Sequence, residues 1–222
     1  MKKFIIVLLT VLLVCSCSST PQAEPFSVDL DSPRFHAGSI EAYLEKSFSI
    51  NRDLKKNDIT VYYYPVEGAV CLEFNVMYVN CNQFWDRDGR DAFVSAFERY
   101  QQEYEQRKLV KGNKKTRKMY GEAQGFFTWK KTSVGIQAQG YPKIKLGYQF
   151  NGQSVFFTTT QMEAYYEDPI ARSRNQTSSI VEIYFTRAQA ESLVALFKQE
   201  HLQSLGLPAG AGGKVETGTD RY

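Results

Sequence analysis

The sequence predicts an α+β domain in which an antiparallel sheet, a hairpin plus a meander with about six strands, carries two main helices. Three observations support this class. Aromatic residues are abundant, with 15 Phe, 14 Tyr and 2 Trp, and aromatic side chains favour strands. Several segments alternate apolar and polar residues with the period of two that half-buried strands show. Two other segments repeat apolar residues at helical spacing, which predicts helices packed on the sheet.

The first predicted elements are a short helix and a hairpin. Apolar residues recur at helical spacing over 39–46. Residues 59–64 are then β-branched and aromatic, and residues 65–68 contain the Pro and Gly of a turn. Residues 70–79 alternate apolar and polar side chains, so they are predicted to form one returning strand.

The first main helix is predicted to begin at Asp88, whose side chain suits an N-cap, with Asp91 three residues further on. Gly112 is expected to end this helix. The same acidic stretch superficially resembles a calcium loop. An EF-hand register would put Phe84 at the first ligand position and Ser95 at the last, so the first carboxylate and the closing glutamate are both missing. The capping interpretation is therefore favoured. The helix has one apolar face, made of Phe93, Phe97, Tyr100 and Tyr104.

The middle of the chain is predicted to be a meander of strands. Residues 119–130 form one candidate strand and residues 143–150 another. Asn151-Gly152 is the strongest short signal for a two-residue type I′ turn. That turn would place Tyr148 opposite Val155 in the returning strand.

A last strand, over 180–185, leads into the second main helix. Thr186 and Gln189 have the spacing of a capping box, in which each side chain bonds the backbone N–H of the other residue. Gly206 and Pro208 are expected to end the helix.

The N-terminus has the layout of a secretory signal. Lys2 and Lys3 precede a short apolar run over 4–14. A spanning helix needs about 20 apolar residues. The run therefore predicts a cleaved signal and not a transmembrane anchor.

The residues after this run carry a second pattern. Cys17 follows the small residue Ser16, and Val14 occupies the apolar position three before it. This stretch resembles the lipobox of bacterial lipoproteins, and the resemblance implies cleavage before Cys17 and its modification with acyl chains such as palmitate. Cys15, where the usual pattern has no cysteine, is a poorer candidate because the bulky Val14 precedes it. The alternative is ordinary signal cleavage beside two incidental cysteines.

These patterns divide the chain into four parts. Residues 1–16 are predicted to be the signal peptide, and residues 17–38 a lipidated cysteine with a flexible tether. A single α+β domain is expected over 39–207, followed by a disordered, Gly-rich tail over 208–222. The expected location is the bacterial cell membrane or outer membrane, with the lipid-anchored domain facing the periplasm or the exterior.

Charge argues against nucleic acid as a partner and points to one local patch. The formal net charge is +3, and removal of Lys2 and Lys3 with the signal leaves +1, which is no nucleic-acid signature. One basic run contains no acid, and we interpret it either as a solvated loop or as a patch for anionic lipid or an acidic envelope polymer. The candidate patch residues are Lys111, Lys114, Lys115, Arg117 and Lys118.

Two cysteines remain in the predicted mature chain. If residues 70–79 are one extended strand, the sulfurs of Cys71 and Cys81 lie about 33 Å apart, far beyond disulfide distance. A disulfide would require the chain to turn back near Asn80. We therefore predict two free thiols.

No motif in the sequence indicates catalysis, a metal site or a cofactor. His36 and His201 lack a neighbouring nucleophile motif, so the leading prediction is a non-catalytic binding or structural role. A hydrolase without a recognisable motif stays open, because catalytic groups assemble in space. The other alternative is a glycan- or peptide-binding module that uses exposed aromatic rings, with the candidates Trp85, Trp129, Tyr62, Tyr141, Tyr165 and Tyr166.

Overall fold

The computed structural model describes residues 26–45, 54–111, 117–131, 137–164 and 178–205. The predicted signal, lipidation site and tail lie outside these residues. The described chain is a ten-stranded antiparallel sheet curved into a half-barrel, with three short helices. About half of the described residues are strand and a quarter are helix. The predicted α+β class with about six strands is therefore wrong, because the sheet is much larger than the sequence suggested.

The strands are β1 (Phe35–Glu45), β2 (Leu54–Tyr64), β3 (Ala69–Val76), β4 (Val79–Trp85), β5 (Arg117–Gln124), β6 (Phe126–Lys131), β7 (Gln137–Gly140), β8 (Lys143–Asn151), β9 (Ser154–Gln161) and β10 (Val181–Phe185). The helices are α1 (Arg87–Glu105), α2 (Arg187–Phe197) and α3 (Gln199–Leu205). In the sheet the strands follow the order β5-β8-β9-β10-β1-β2-β3-β4-β6-β7.

The short helix predicted over 39–46 is instead part of β1. Ile40, Ala42 and Leu44 are buried and alternate with less buried residues, as a strand requires. The apolar spacing in this short segment fits both the helical period and the strand period of two residues. The segment forms a strand because it pairs with β2 along its whole length and with β10 on the other side.

One residue, Gly125, brings the two ends of the sheet together. It alone separates β5, which pairs with β8, from β6, which pairs with β4 and β7. A sheet that twists continuously rotates its ends toward each other, and the backbone of Gly125 bonds the carbonyl of Pro142 there at 3.0 Å. A Cβ atom at this position would lie 2.7 Å from the Ile144 side chain. The single strand predicted over 119–130 is therefore two strands.

The helices cover one face of the sheet, called the inner face below. Phe93 of α1 contacts four aromatic rings at centroid distances of 5.2 to 6.1 Å, those of Trp85, Phe157, Phe185 and Phe197. A buried polar link also crosses this interior, since Gln83 of β4 donates to Gln161 of β9 at 2.9 Å. These two strands are not neighbours in the sheet, so the link ties its two arms.

The helix ends follow local sequence signals, with one correction. The predicted capping box is confirmed, because Thr186 accepts from the backbone of Gln189 and the Gln189 side chain accepts from the backbone of Thr186. The cap of α1 is not Asp88. Asp86 accepts from the Gly89 N–H at 2.7 Å and starts the helix two residues earlier. The helix ends at Glu105, well before the predicted stop at Gly112.

A second apolar cluster lies on the opposite, outer face. The segment 26–34 covers this cluster, and the Ser32 hydroxyl donates to Glu67 at 2.6 Å. The described part of the predicted tether thus packs on the sheet, and the predicted domain start at residue 39 falls inside β1. The buried cluster residues are Val28, Tyr64, Ala69, Cys71, Phe84 and Phe126.

The β8–β9 hairpin forms with a different register from the predicted one. Tyr148 faces Phe157 and not Val155. The two turn residues are Gly152 and Gln153, and only the glycine has a positive φ, at 61°, which is typical of a type II′ turn. The shift is two residues, so each side chain keeps the face that the prediction gave it.

The chain also turns between β3 and β4, where a single strand was predicted over 70–79. Met77 and Tyr78 form this turn, because Val76 pairs with Val79. Cys71 then lies in the outer cluster and Cys81 in the inner core. The prediction of two free thiols is confirmed, although the physical reason is the opposite faces and not an extended separation.

Candidate anion-binding groove

The structure separates the described members of the predicted basic patch. Lys118 forms an ion pair with Glu103 and lies 5.4 Å from the centroid of the Tyr120 ring. Lys111 is exposed and donates to Gln153 at 3.1 Å, in the turn of the β8–β9 hairpin. Lys114, Lys115 and the side chain of Arg117 lie outside the described residues.

The same hairpin borders a groove with a volume of about 480 Å³, within the size range of ligand sites. One wall comes from the end of α1 and the segment after it, one from β8 and β9, and one from the start of α2. We call it the Tyr104–Arg187 groove. It is lined by Tyr104, Glu105, Arg107, Leu109, Phe150, Val155 and Arg187.

Backbone geometry fixes the wall that follows α1. Arg107 has a positive φ of 53° and so ends the helix by turning the chain. The chain then runs beside β8, where the Val110 N–H donates to the Tyr148 hydroxyl at 3.2 Å. Leu109 packs against the inner core between these two points.

Arg187 occupies a position that helix stability does not favour. It is the first residue of α2, where the helix dipole disfavours a cation. Its guanidinium carbon lies 5.0 Å from the centroid of the Tyr104 ring, a cation–π distance. Within the described residues, no carboxylate oxygen lies within 4.0 Å of Arg187 or Arg107. The groove lining therefore holds two guanidinium groups that have no carboxylate partner among the described residues, against one carboxylate, Glu105.

A second groove, of about 500 Å³, has the opposite charge. Three carboxylates line it, those of Glu67, Asp86 and Asp88. Its buried cation, Arg90, donates to the Gly68 carbonyl at 2.8 Å, and also to Trp85 and Gln199. Burial lowers the pKa of Arg90. Its guanidinium is used to join α1, α3 and the β2–β3 turn, so this groove is not suited to an anion.

The histidines do not form a catalytic arrangement among the described residues. His36 is exposed, and its Nε2 lies 3.4 Å from the Ser39 hydroxyl. No described carboxylate bonds the ring of His36, and neither His36 nor Ser39 lines a described pocket. His201 meets the Ala37 carbonyl at 3.1 Å. The described part of the chain also holds no group of three or more His, Cys, Asp or Glu that could bind a metal.

Two of the aromatic residues proposed as a glycan platform are core residues. Trp85 and Trp129 are buried, and the Trp85 indole donates to Gln83 at 3.2 Å. Tyr62 and Tyr141 are half-buried, and the remaining two candidates lie outside the described residues. A tryptophan platform is therefore not present.

The thiols are poor nucleophiles in this fold. Burial raises the pKa of the Cys71 thiol well above its usual range, and it raises the pKa of Cys81 to about 12. A thiol must lose its proton to react. Both cysteines are therefore structural residues at neutral pH.

Sequence reasoning missed Arg187 and Tyr104 as site residues. Tyr104 was assigned to the buried face of the first helix, but it is 41% exposed. Arg187 gave one readable signal, a basic residue directly after the N-cap Thr186, where acids are usual. Its partner ring could not be identified without the fold.

Comparison with known proteins identifies relatives without an assigned activity. The family described as "Uncharacterised Treponema protein" matches residues 37–204. An uncharacterized protein of Treponema pallidum (strain Nichols) is 26% identical over 141 residues, which cover 64% of this chain and 48% of that protein. The chain thus spans about half the length of this relative. No solved structure matches. No helix in the described ranges combines the length and apolarity needed to cross a membrane.

Proposed function

The chain belongs to the family of uncharacterised Treponema proteins, and we propose that it is a lipid-anchored envelope protein that binds an acidic ligand in the Tyr104–Arg187 groove. The observation that carries the binding function is the pair of guanidinium groups at this groove. Arg107 and Arg187 both line it, and within the described residues neither has a carboxylate partner.

The lining also indicates what kind of anion fits. Guanidinium groups bind carboxylate and phosphate through paired hydrogen bonds. Leu109, Phe150 and Val155 add apolar surface on the same groove. The ligand should therefore combine acidic groups with apolar segments, which suits an acidic envelope polymer. Lys111, which donates to Gln153 of the neighbouring turn, extends the positive surface.

Membrane anchoring is supported by the signal layout and the lipobox-like sequence before Cys17. The described fold begins at Phe26, nine peptide steps later. Nine steps span at most about 32 Å. The domain would then be held close to the bilayer surface.

The groove is tested by calorimetric titration of the full chain with decaglutamate. Arg187→Ala should weaken binding about tenfold or more, since a hydrogen bond to a charged group contributes about 1.5–3 kcal/mol. Glu105→Gln should strengthen it, because it removes the one carboxylate in the lining. Soluble short-chain phosphatidylglycerol serves as the second ligand, and tighter binding of it would identify a lipid headgroup instead.

The matched control is Arg87→Ala. Arg87 is the first residue of α1, as Arg187 is of α2, and its exposed side chain lines the acidic groove. Loss of an arginine at the same helical position should leave decaglutamate binding within about twofold. Equal losses in the two variants would mean that binding follows net charge only, and the groove would be excluded.

The anchor is tested separately by metabolic labelling with palmitate. Cys17→Ser should abolish labelling and release the protein from membranes, whereas Cys15→Ser should do neither. Labelling that persists in Cys17→Ser but not in Cys15→Ser would assign the lipid to the other cysteine. If both variants keep the label, the lipoprotein proposal is wrong.

A further inference from the structure

The turn between β3 and β4 exposes apolar side chains on a strained backbone. Met77 has a φ of 56°, a region that side chains other than Gly, Asn and Asp rarely adopt. Met77 is 58% exposed and Tyr78 is 81% exposed. At the β8–β9 turn the corresponding position is Gly152, with a φ of 61°. The β3–β4 turn therefore keeps a methionine where folding alone favours glycine.

Lysines flank this turn on both neighbouring strands. Lys55 of β2 lines a cavity of about 260 Å³ together with Met77. Lys130 of β6 pairs with Asn80, two residues after Tyr78. Within the described residues, neither lysine has a carboxylate oxygen within 4.0 Å.

The carboxylates near the turn are already engaged. Glu45, in the lining of the same cavity, accepts a hydrogen bond from the Tyr184 hydroxyl at 3.0 Å. Glu73 lies along β3 and forms an ion pair with Arg34 at 3.1 Å. Because the Tyr184 hydroxyl is neutral, Glu45 keeps its negative charge, and the described surroundings of the turn hold two lysines against this one carboxylate, beside exposed apolar side chains.

We propose that the β3–β4 turn inserts Met77 and Tyr78 into the surface of an anionic bilayer, with Lys55 and Lys130 against the lipid headgroups. A tyrosine ring has an apolar body and a polar hydroxyl, and such rings concentrate at membrane–water interfaces. Each basic residue near an anionic surface strengthens binding about fivefold. The combination of exposed apolar side chains with flanking lysines favours an anionic lipid surface over a purely acidic or a purely apolar partner.

The lengths in the chain are compatible with this contact. Met77 lies eight residue steps from Ala69, so it is about 26 Å from the end of the sheet where the segment 26–34 packs. The segment between Cys17 and Phe26 spans at most about 32 Å. A lipid on Cys17 therefore leaves the turn free to reach the same bilayer. The inference rests on the proposed membrane anchoring and not on the groove.

The test is photo-crosslinking from the turn to lipid. The full chain carrying Tyr78→p-benzoylphenylalanine is reconstituted on vesicles that contain phosphatidylglycerol and is then irradiated. The control is Val66→p-benzoylphenylalanine, because Val66 is 74% exposed in the β2–β3 turn. The neighbouring Glu67 bonds Ser32, so the control position lies nearer the N-terminal segment. Anchoring alone would thus favour lipid adducts at Val66.

Position 78 should give at least about tenfold more lipid adduct than position 66, since burial of one large apolar side chain shifts partitioning by that factor or more. Lys55→Glu with Lys130→Glu, or vesicles of phosphatidylcholine alone, should reduce the adduct at least fivefold. Equal yields at the two positions on vesicles that float would overturn the inference and leave the anchor intact. If the chain does not float with vesicles, both proposals fail. An adduct to protein and not to lipid in whole envelopes would also overturn it.

Discussion

The two faces of the curved sheet are both closed by apolar side chains, but by different parts of the chain. On the inner face, α1 and α2 follow β4 and β10 directly and bring Phe93 and Phe197 into contact at 5.2 Å. On the outer face, the segment 26–34 has no helix or strand, yet Val28 packs among buried aromatic residues. A helix with an apolar stripe can be predicted from sequence. The packing of an irregular segment such as 26–34 cannot.

This difference shows that the N-terminal segment has a packing role, although its composition is polar. Phe26, Val28 and Leu30 alternate with polar residues, and all three contact the outer cluster. Each face contains one of the two described cysteines, since Cys71 belongs to the outer cluster and Cys81 to the inner core. The two thiols therefore let the faces be probed separately in one molecule.

The largest expected effect is on the inner face. Phe93→Ala should lower the free energy of unfolding by about 3–5 kcal/mol, the range for removal of a buried aromatic ring. Phe93 is fully buried and contacts four other rings. Urea unfolding measures the loss. A loss below about 1 kcal/mol would mean that the helices do not close the inner core.

The next effect distinguishes the faces directly. Val28→Asp should lift the segment 26–34 and raise the maleimide labelling rate of Cys71 at least about tenfold, because a buried carboxylate is unfavourable among apolar groups. Cys81 should keep its slow rate. Peptide mapping after short exposure gives both rates in one sample. Equal acceleration of both thiols would show global unfolding and contradict two separately covered faces.

Local signals in the sequence predicted local structure correctly. The predictions were wrong where pairing with strands that are distant in sequence determines the structure. The capping box at Thr186 and Gln189 depends on adjacent residues, and it formed as predicted. The turn signal at Asn151-Gly152 located a hairpin but misplaced its register by two residues, because Gly152 occupies the first turn position instead of the second. The helix predicted over 39–46 is a strand, since β2 and β10 supply hydrogen-bond partners that lie far away in sequence.

The candidate groove could not be predicted from the sequence for the same reason. Of the predicted basic run, Lys111 bonds the adjacent β8–β9 turn, but it does not line the groove. The groove itself joins the end of α1 to the start of α2, and only the closed fold places Arg187 over Tyr104.

A smaller effect concerns the helix that completes the inner face. Thr186→Ala should lower the free energy of unfolding by about 0.5–2 kcal/mol, because it leaves the N–H of Gln189 without its acceptor. Ser192→Ala is the control in the same helix, since the exposed Ser192 hydroxyl bonds the Ala188 carbonyl four residues earlier and takes no part in the cap. That change should stay within about 0.5 kcal/mol. Equal losses would mean that the cap does not matter for closing the face.

The smallest effect tests how α1 is held against β5 and depends on pH. Lys118 and the Tyr120 hydroxyl both donate to Glu103, and the hydrogen bond from Lys118 lowers the pKa of the Glu103 carboxyl below its usual value. A carboxyl with a lowered pKa in the folded state stabilises the fold above its unfolded pKa of about 4.3, and this contribution disappears as pH falls through the folded pKa.

Glu103→Gln should therefore cost up to about 1 kcal/mol near neutral pH and nothing in acid, where the native carboxyl is also neutral. Burial and the Glu103 charge raise the pKa of Tyr120 well above its usual range, so Tyr120 remains a donor throughout and the difference comes from Glu103. Urea unfolding of both chains at neutral and acidic pH measures it, with Glu98→Gln on the exposed side of α1 as the control. A loss that is the same at both pH values would mean that the glutamine disturbs packing, and the ion pair would then have no part in holding α1 to the inner face.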